Sequence, residues 1–556
     1  MQAAKNRVGT TGEMMNIGRN AAVSATIAFA LAAPLSIGAF SAQADELADL
    51  RANQELLQRR LDQLAQLPAV GSPVGGLYPG GPPAKTAGAG IVGGSFPRSF
   101  LVPGTDTSIR VGGTITLNVT YFFNGGNANQ TTASTTNFGN NGALNSAPLH
   151  VHNAFPGAPL AGNTARSRGN SLTFISPQQS KVNFETRTPT AWGEARTFME
   201  FDWANGNQFS PGNNALLSTN NLVPRLRFAY ATLGGLLGGQ ANSNFADPDA
   251  STDNINFGGN VGDPGVTRIP QVRYTQPLAP WGFPGALSVS AEAPETDGWT
   301  NAGQIAADAA SQNPALTTCT VAGVAGATCT LGAATNPFKP PAPDFTMAWY
   351  IPQPWGHMDF SAVWRPTLQI KDGLFVDRTY MGWGVHFGGD VKPGWFGWDR
   401  DALTWHFVYG DGIGRYLGGN TSEFALITNY PVTAPASAAA AANILSRTTV
   451  SWGGNVGYTH RWSPTLRSNI SMGILHHDIT NVGNRAAGFV CAGPARFSGG
   501  GGCGLNKELI SSEFNIIWNP VPFADIGLEY FHGHRQVLSN LKGDVNGLIS
   551  RFRVNF

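Results

Sequence analysis

The chain has 556 residues, only 12% of them charged, and a formal net charge of +1 at pH 7. This balance excludes long-range steering by overall charge and shows no basic footprint for nucleic acid. Charged residues are about half as frequent as in soluble proteins. The mean hydropathy is nevertheless −0.11, because 70 glycines and many Asn, Thr and Ser residues supply uncharged polarity. Such a composition argues against a large soluble enzyme and favours a β-barrel.

Residues 1–44 have the pattern of an export signal. Three basic residues precede the apolar stretch 21–40, and Ala42 and Ala44 place small side chains at the cleavage positions. The mature chain is therefore expected to begin near Asp45. No later stretch is long and apolar enough for a membrane-spanning helix, so any crossing must be made by strands.

Residues 45–67 predict a short coiled-coil helix. Three heptads place five leucines and one glutamine at successive a and d positions, namely Leu47, Leu50, Gln54, Leu57, Leu61 and Leu64. A single helix of this length is marginal in water, so the leucine seam requires a partner. Self-association is favoured over contact with the rest of the chain. Residues 68–98 are rich in Pro, Gly and Ala and predict a flexible linker.

Residues 99–556 predict an all-β transmembrane barrel of sixteen antiparallel strands. Runs of about ten alternating residues are separated by turns that are alternately short and long, as in outer-membrane barrels. The even strand number places both ends of the barrel, and the preceding coiled coil, in the periplasm. The predicted strands are 108–123, 170–188, 193–203, 224–233, 235–243, 268–277, 284–294, 344–351, 357–366, 379–391, 400–409, 448–461, 465–478, 507–519, 523–534 and 546–556.

The short turns combine Pro, Gly and Trp. Their prolines end strands where no ladder partner is needed. A soluble β-sandwich gives no reason for tryptophan to cluster there, whereas an interfacial aromatic girdle does. The tryptophans at or beside these turns are Trp192, Trp281, Trp355, Trp395, Trp398 and Trp462.

The last strand has a strict period of two. Phe552, Val554 and Phe556 share one face, while Arg551 and Arg553 share the other. A strand with lipid on one side and water on the other needs this pattern. A terminal aromatic residue also resembles the signal by which the outer-membrane assembly machinery recognises its clients, so Phe556 is the predicted assembly signal.

The four cysteines form two close pairs, Cys319 with Cys329 and Cys491 with Cys503. In an exported chain such local pairs predict two loop disulfides, although four cysteines allow three connectivities. A metal site would need tighter spacing and nearby histidines. We therefore expect neither a metal nor a cofactor.

Seven segments carry a family likeness: SFLVPGTDTS (99–108), ETRTPT (185–190), QVRYT (271–275), PETD (294–297), GDGIGRY (410–416), IWNPVP (517–522) and GLEY (527–530). Together with the leucine zipper they resemble the DcaP-like trimeric porins. The resemblance implies a homotrimer in outer-membrane lipid, with a periplasmic coiled coil, that admits small and often negatively charged organic solutes. The long loops 124–169 and 295–343 depart from the family, so loop-determined selectivity cannot be transferred.

Alternation along the predicted strands divides the side chains between lipid and lumen. A basic side chain that faced lipid near the midplane would cost about 2–4 kcal/mol, which favours inward placement. The inward bases are Arg110, Lys181, Arg187, Arg196, Arg225, Arg227, Arg273, Arg365, Arg467, Arg551 and Arg553, and nine inward acids accompany these eleven.

Two interpretations of these bases remain open. A basic ladder would attract anions and replace part of their hydration. Alternatively, the bases form wall ion pairs that only stiffen the barrel, such as Arg187 with Glu185 or Arg551 with Glu529. The sequence does not show which residues line the narrowest zone.

The predicted loop 244–267 contains four acids, Asp247, Asp249, Asp253 and Asp263. If this loop folds inward it narrows the channel, and its acids could oppose the basic wall. Acid-rich loops are more often turn formers exposed to water, and we favour that interpretation. Calcium binding is only weakly indicated.

No other motif indicates a phosphate-binding, metal-binding or catalytic site. The glycine-rich segment 410–415 follows a predicted strand, but no helix pattern follows it, so hairpin geometry explains its glycines better than phosphate binding. Three histidine pairs (150/152, 476/477 and 532/534) lack a third ligand. No acid, base and nucleophile set indicates catalysis.

The favoured function is a diffusion channel. The alternative is a surface protein that anchors the membrane to periplasmic material through its coiled coil, and single-channel conductance distinguishes the two.

Overall fold

The computed structural model describes residues 93–124, 126–127, 168–169, 172–205, 223–256, 258–264, 267–295, 298–300, 338–371, 377–395, 400–417, 424–428, 444–478, 506–537, 540 and 542–556. The predicted export signal, the predicted coiled coil, nearly all of the predicted linker and the four cysteines lie outside these residues. Within the described ranges, no helix is long and apolar enough to cross a membrane.

Sixteen long strands of the described chain form one antiparallel sheet. They are β1 (Ser108–Asn124), β2 (Leu172–Ser176 continued by Lys181–Thr190), β3 (Gly193–Asn205), β4 (Val223–Leu233), β5 (Leu236–Asn242), β6 (Arg268–Pro277), β7 (Ala286–Glu292), β8 (Asp344–Gln353), β9 (Gly356–Lys371), β10 (Asp377–Val391), β11 (Ala402–Asp411), β12 (Val450–Arg461), β13 (Leu466–Asp478), β14 (Asn506–Val521), β15 (Ala524–Val537) and β16 (Lys542–Asn555).

The sheet closes on itself. Each strand pairs with the next along the chain, and β16 pairs with β1 in the register Thr114 to Asn555. The terminal residue is part of this seam, because the Phe556 N–H donates to the Gly113 carbonyl at 3.0 Å and the Gly113 N–H donates back at 3.1 Å. A closed barrel leaves no unpaired sheet edge. The predicted sixteen-stranded antiparallel barrel is therefore confirmed.

Short strands add to the barrel or lie beside it. Phe100–Leu101 pairs with β1, and Phe338–Lys339 pairs with β9. Gly298–Thr300, Phe424–Thr428 and Ile444–Thr448 form a separate three-stranded sheet, and Gly126–Asn127 pairs with Arg168–Gly169.

The two ends of the barrel differ. We call the end with seven connections of two to ten residues, such as 191–192 and 392–401, the turn end; β1 starts and β16 finishes there. The opposite loop end contains the inter-strand segments that were predicted to be long. Two of them are short, namely 372–376 and 538–541. The segment 372–376 is short because β9 extends to Lys371 instead of ending at Pro366. A bulge between Arg365 and Leu368 accommodates Pro366 without a ladder partner and lets the strand continue.

The outer surface is apolar, with exposed aromatic rings at the turn end. Trp192, Trp281, Trp355, Trp395 and Trp462 are all exposed there, while Trp398 lies outside the described residues. Along β16 the outward Phe552 is 50% exposed and the inward Ile549 is 1% exposed. The alternation that was predicted for this strand is present, so its apolar face points to lipid and its basic face to the lumen.

Candidate functional site

The connection between β5 and β6, residues 243–267, folds into the lumen; we call it the inner loop. Phe245, Ile255 and Val261 are at most 1% exposed, and they belong to one buried cluster with Ile413 and Leu417. Burying these large apolar side chains drives the loop inward. The favoured expectation that the acids of this loop are turn formers exposed to water is therefore wrong for Asp247 and Asp263, which are both buried. Asp249 is exposed.

The acids of the inner loop contact the wall on which the loop lies. Asp247 Oδ2 is 2.7 Å from His357 Nε2 on β9, and the other ring nitrogen of His357 contacts Asp390. Asp253 Oδ2 accepts a hydrogen bond from Arg467 Nε on β13 at 2.8 Å. Asp263 Oδ1 is 3.7 Å from His406 Nε2 on β11. Asp247 and Asp253 thus fasten the loop to the wall instead of opposing a basic wall across the channel.

The pKa of Asp247 reflects this contact. Burial by itself would raise the pKa of the carboxyl, but the hydrogen bond and positive charge of His357, with smaller effects of His406 and His386, lower it overall. The carboxylate form is therefore favoured where the loop meets β9.

The tip of the inner loop is held by the carboxyl group of Glu529 on β15. Its oxygens accept hydrogen bonds from the Ile255 N–H at 2.6 Å, the Asn256 N–H at 2.8 Å and the Asn515 amide at 2.9 Å. The predicted ion pair between Arg551 and Glu529 is wrong, because Arg551 Nε donates to Asp525 at 2.9 Å. Glu529 is occupied by backbone groups of the loop, which no sequence pattern marks.

Three bases surround one buried acid near the turn end. Arg110, Arg187 and Arg196 lie 2.5, 2.8 and 2.7 Å from the oxygens of Glu185, whose side chain is fully buried. The predicted ion pair of Arg187 with Glu185 is confirmed. The ring of Phe96, from the segment before β1, lies 4.5 Å from the guanidinium carbon of Arg187 and 5.6 Å from that of Arg110.

A second basic cluster lies nearer the loop end. Arg225 and Arg227 both donate to Asp202 Oδ2 at 2.7 Å, and Arg227 also contacts Glu200 at 2.8 Å. The register shift between Glu200 and Phe201 is a bulge in the pairing of β3 with β4, and it allows both arginines to point inward. Lys181 Nζ lies 3.9 Å from the same Glu200.

Arg268 joins this second cluster, although the sequence did not predict it. Its guanidinium carbon lies 5.1 Å from the ring centroid of Phe228, and it interacts electrostatically with Arg227 and Arg225. Strict alternation gives Arg268 the outward parity of Val272, which is 60% exposed. No sequence signal shows that this outward assignment fails, because Arg268 is the first residue of β6, where the chain leaves the inner loop.

A lumen cavity of about 200 Å³ separates the tip of the inner loop from the basic wall. On the loop side it is lined by Asn254, Ile255 and Asn256, which carry no charge. The opposite side is lined mainly by β1, β2, β4 and β16, through Thr114, Thr116, Gln179, Lys181, Arg227, Arg551 and Arg553. Four of the eleven bases predicted to line the lumen meet here.

Other bases from that set have different positions. Arg365 is fully buried and contacts Asp344 at 3.1 Å and the Gly412 carbonyl at 2.6 Å, so it braces the wall. Arg467 fastens the inner loop through Asp253. Arg273 lies half-buried on β6 between the residues that pair with it, Leu237 and Ser290. These three bases are not among the residues that line the cavity.

The lumen also contains histidines that the sequence analysis did not single out. His386 Nε2 lies 3.0 Å from His406 Nδ1, beside the buried part of the inner loop. Their inward parity on β10 and β11 is the signal that could have identified them. Of the predicted histidine pairs, 150/152 lies outside the described residues. Among the described residues, no group of three or more His, Cys, Asp or Glu could hold a metal ion.

The class of protein follows from these features together. A closed sixteen-stranded barrel with an apolar outer surface, an inward-folded loop and a cation-lined cavity is the architecture of an outer-membrane channel. Residues 98–465, more than half of the chain, match the family model described as porin subfamily, and the chain belongs to this family. It is therefore a protein of the outer membrane, and the predicted family resemblance is confirmed.

One solved structure shares the fold, and two others are matched more weakly. The outer membrane channel DcaP of Acinetobacter baumannii matches with a TM-score of 0.55 and 19% identity, over 84% of this chain and 100% of DcaP. The anion-selective porin from Comamonas acidovorans has a TM-score of 0.40 and 9% identity, over 81% and 100% of the two chains. OmpF of Salmonella typhi, in complex with daunomycin, has a TM-score of 0.41 and 9% identity, over 81% and 98%. No curated protein matches the chain.

Proposed function

We propose that this porin passes small hydrophilic solutes by passive diffusion and prefers anionic organic solutes. The observation that carries the proposal is the cavity between the uncharged loop tip and the four bases Lys181, Arg227, Arg551 and Arg553. At an effective dielectric constant of 20, a cation 4 Å from an anion gains about 4 kcal/mol before desolvation. Salt screens charges beyond roughly 8 Å at physiological strength, so only a zone as narrow as this cavity can select.

On β1 to β4, β15 and β16, the ion pairs of the wall contain more bases than acids. In the two basic clusters and the pair of Arg551 with Arg553, eight bases form ion pairs with only five acids, namely Glu185, Glu194, Glu200, Asp202 and Asp525. Asp525, for example, contacts both Arg551 and Arg553, and Glu185 contacts three arginines. The two interpretations that the sequence left open are therefore both supported in part, because the bases pair with wall acids and still outnumber them.

The test is the reversal potential of the reconstituted channel across a salt gradient. In Lys181→Gln/Arg553→Gln, anion preference is expected to fall, because two positive charges are removed from the cavity. Asp525 retains its ion pair with Arg551 in this variant. Lys542→Gln, an exposed lysine at the loop end of β16, is the matched charge control and is expected to leave selectivity unchanged. Cation preference in the wild type would overturn the proposal.

We further propose that the functional unit is a homotrimer whose coiled coil, residues 45–67, lies in the periplasm after removal of residues 1–44. The leucine seam and the family resemblance support this assembly. The alternative function, a protein that anchors the membrane to periplasmic material, requires no conducting lumen. Single-channel conductance decides between the two, since an anchor gives no discrete conductance steps.

A further inference from the structure

Three aromatic side chains lie together on the lumen face of β3 and β4. They are Phe198, Phe228 and Tyr230, and their ring centroids are 5.7 to 6.4 Å apart. Phe198 pairs with Tyr230 across the two strands. Phe198 also has the parity of Arg196 and Glu200, which both form ion pairs on the lumen side of the wall. We call these three rings the aromatic patch.

The aromatic patch is accessible from the lumen. The inner loop is fastened to β9, β13 and β15, away from β3 and β4. All three rings of the patch are partly exposed. By contrast, Phe531, an inward ring of β15 in the buried cluster of the inner loop, is 0% exposed. Apolar surface that still faces water after folding is surface on which an apolar group of a solute can be buried.

Arginines lie at both ends of the patch. At its turn-end side, the guanidinium carbon of Arg196 is 5.7 Å from the ring centroid of Phe198 and 5.8 Å from that of Tyr230. At its loop-end side, the guanidinium carbon of Arg268 is 5.1 Å from the ring centroid of Phe228. Cations this close to a ring are attracted by its π-system. The patch therefore joins the basic cluster near the turn end, which contains Arg196, to the second cluster, which contains Arg268.

The patch is also connected to the cavity beside the loop tip. Arg268 interacts electrostatically with Arg227 and Lys181, and both of these bases line the cavity. A solute that leaves the cavity along β3 and β4 passes from Arg227 to the rings and then to Arg196. An anion on this path has a cation at either edge of the patch.

This arrangement suits a flat solute that carries a carboxylate. Aromatic rings attract each other edge-to-face or offset, with centroids about 4.5 to 7 Å apart, which is how the members of the patch contact one another. A guanidinium presents parallel N–H donors that a carboxylate accepts. An aromatic carboxylate can thus place its ring on the patch and its charge at Arg196. A saturated ring of the same size lacks the attraction between π-systems, and a small anion lacks the ring contact altogether.

We propose that the aromatic patch is a subsite for the ring of aromatic carboxylates, so that the channel binds benzoate more strongly than a non-aromatic carboxylate of the same charge and size. This inference rests on the proposed function, because it requires that anions enter the lumen. It adds to that function a selection for the ring of the solute, which charge alone does not supply.

The test compares benzoate with cyclohexanecarboxylate, which has the same charge and a saturated ring. Planar-bilayer recordings of the full-length protein give the concentration of each compound that halves the single-channel current. In the wild type, benzoate is expected to act at an about fivefold lower concentration. In Phe198→Leu/Tyr230→Leu the two concentrations should become equal, because leucine keeps an apolar surface without a π-system. The reversal potential across a salt gradient should not change, since Arg196 remains 2.7 Å from Glu185.

The matched control is Phe514→Leu/Tyr530→Leu, which removes a cross-strand pair of the same composition from the outer surface of β14 and β15. This variant should keep the wild-type preference for benzoate. Heat-modifiable electrophoretic mobility verifies that each barrel is folded, and Phe228→Leu supplies the same comparison if the double variant of the patch does not fold.

Two results would overturn the inference. One is equal block by the two compounds in the wild type, and the other is an unchanged preference for benzoate in the folded patch variant. Either result, obtained with a wild-type channel that prefers anions, leaves the proposed function intact. Cation preference in the wild type overturns that function and this inference with it, so the reversal potential distinguishes the two failures.

Discussion

Substitution of Glu529 by Ala tests whether the wall holds the tip of the inner loop at the constriction. In the wild type, the carboxyl oxygens of Glu529 accept the N–H groups of Ile255 and Asn256 at 2.6 and 2.8 Å, deep in the wall. Leaving a buried donor without its acceptor costs about 1–3 kcal/mol, so the loss of two weakens tip attachment by about 2–6 kcal/mol. Each 1.4 kcal/mol is about a factor of ten in the ratio of attached to detached tip.

The consequence is a wider or fluctuating passage, because Ile255 and Asn256 line the cavity beside the basic wall. The rest of the inner loop is expected to stay in place through Asp247 with His357 and Asp253 with Arg467. Planar-bilayer recordings of Glu529→Ala should show higher or noisier single-channel conductance, and polymers of larger size should enter the pore.

The matched control is Glu508→Ala, which removes a partly exposed carboxylate from the loop-end part of β14, where its contact is His476 at 3.5 Å. This variant should conduct as the wild type does. A folded Glu529→Ala channel with wild-type conductance and polymer exclusion would refute the inference that Glu529 sets the position of the tip.

Three further predictions concern assembly and pH. Deletion of 45–67 should weaken the trimer on native gels while the barrel remains folded, because the leucine seam has no other core to join; an unchanged trimer would remove this role. Phe556→Ala should lower the amount of protein that reaches the outer membrane. The effect on the stability of the folded barrel should be smaller, because burial of one terminal ring contributes only about 1.5–3 kcal/mol. Normal insertion in cells would contradict an assembly role. The pKa of Asp247 is lowered from 3.8, so its contribution to holding the loop is complete above about pH 4 and is lost only as the pH falls below 3.8. Asp247→Asn should therefore raise conductance noise at pH 7, the exposed Asp249→Asn should not, and a wild-type transition near pH 6 would show that other groups control the loop.

Two carboxylates of the basic wall each pair with more than one arginine. Glu185 serves three arginines, and Asp202 serves two. Sharing one acid among several bases keeps the buried carboxylates of Glu185 and Asp202 paired, which the low dielectric of the wall requires. It also leaves cationic side chains partly exposed to the lumen, where a passing anion can replace some of its hydration.

The sequence by itself determined the barrel. Strand number, the inward or outward side of most residues and the turn-end tryptophans all follow from a period of two and from turn residues, which are local properties. Arg187 with Glu185 was predictable for the same reason, since two residues two positions apart on one strand share a face. The alternation fails where the register shifts, as at the bulge beside Arg227, because one extra residue reverses the side of all that follow.

Only the tertiary structure decided what the lumen contains. The inner loop folds inward because Phe245, Ile255 and Val261 find apolar partners on distant strands, and its tip amides find Glu529 about half the chain away. Nothing in the local pattern distinguishes such a loop from one exposed to water. The choice depends on which surfaces meet after the barrel closes, and closure itself requires the first and last strands to pair. The cavity beside the loop tip, the partners of the inner-loop acids and the position of Arg268 are therefore properties of the closed barrel.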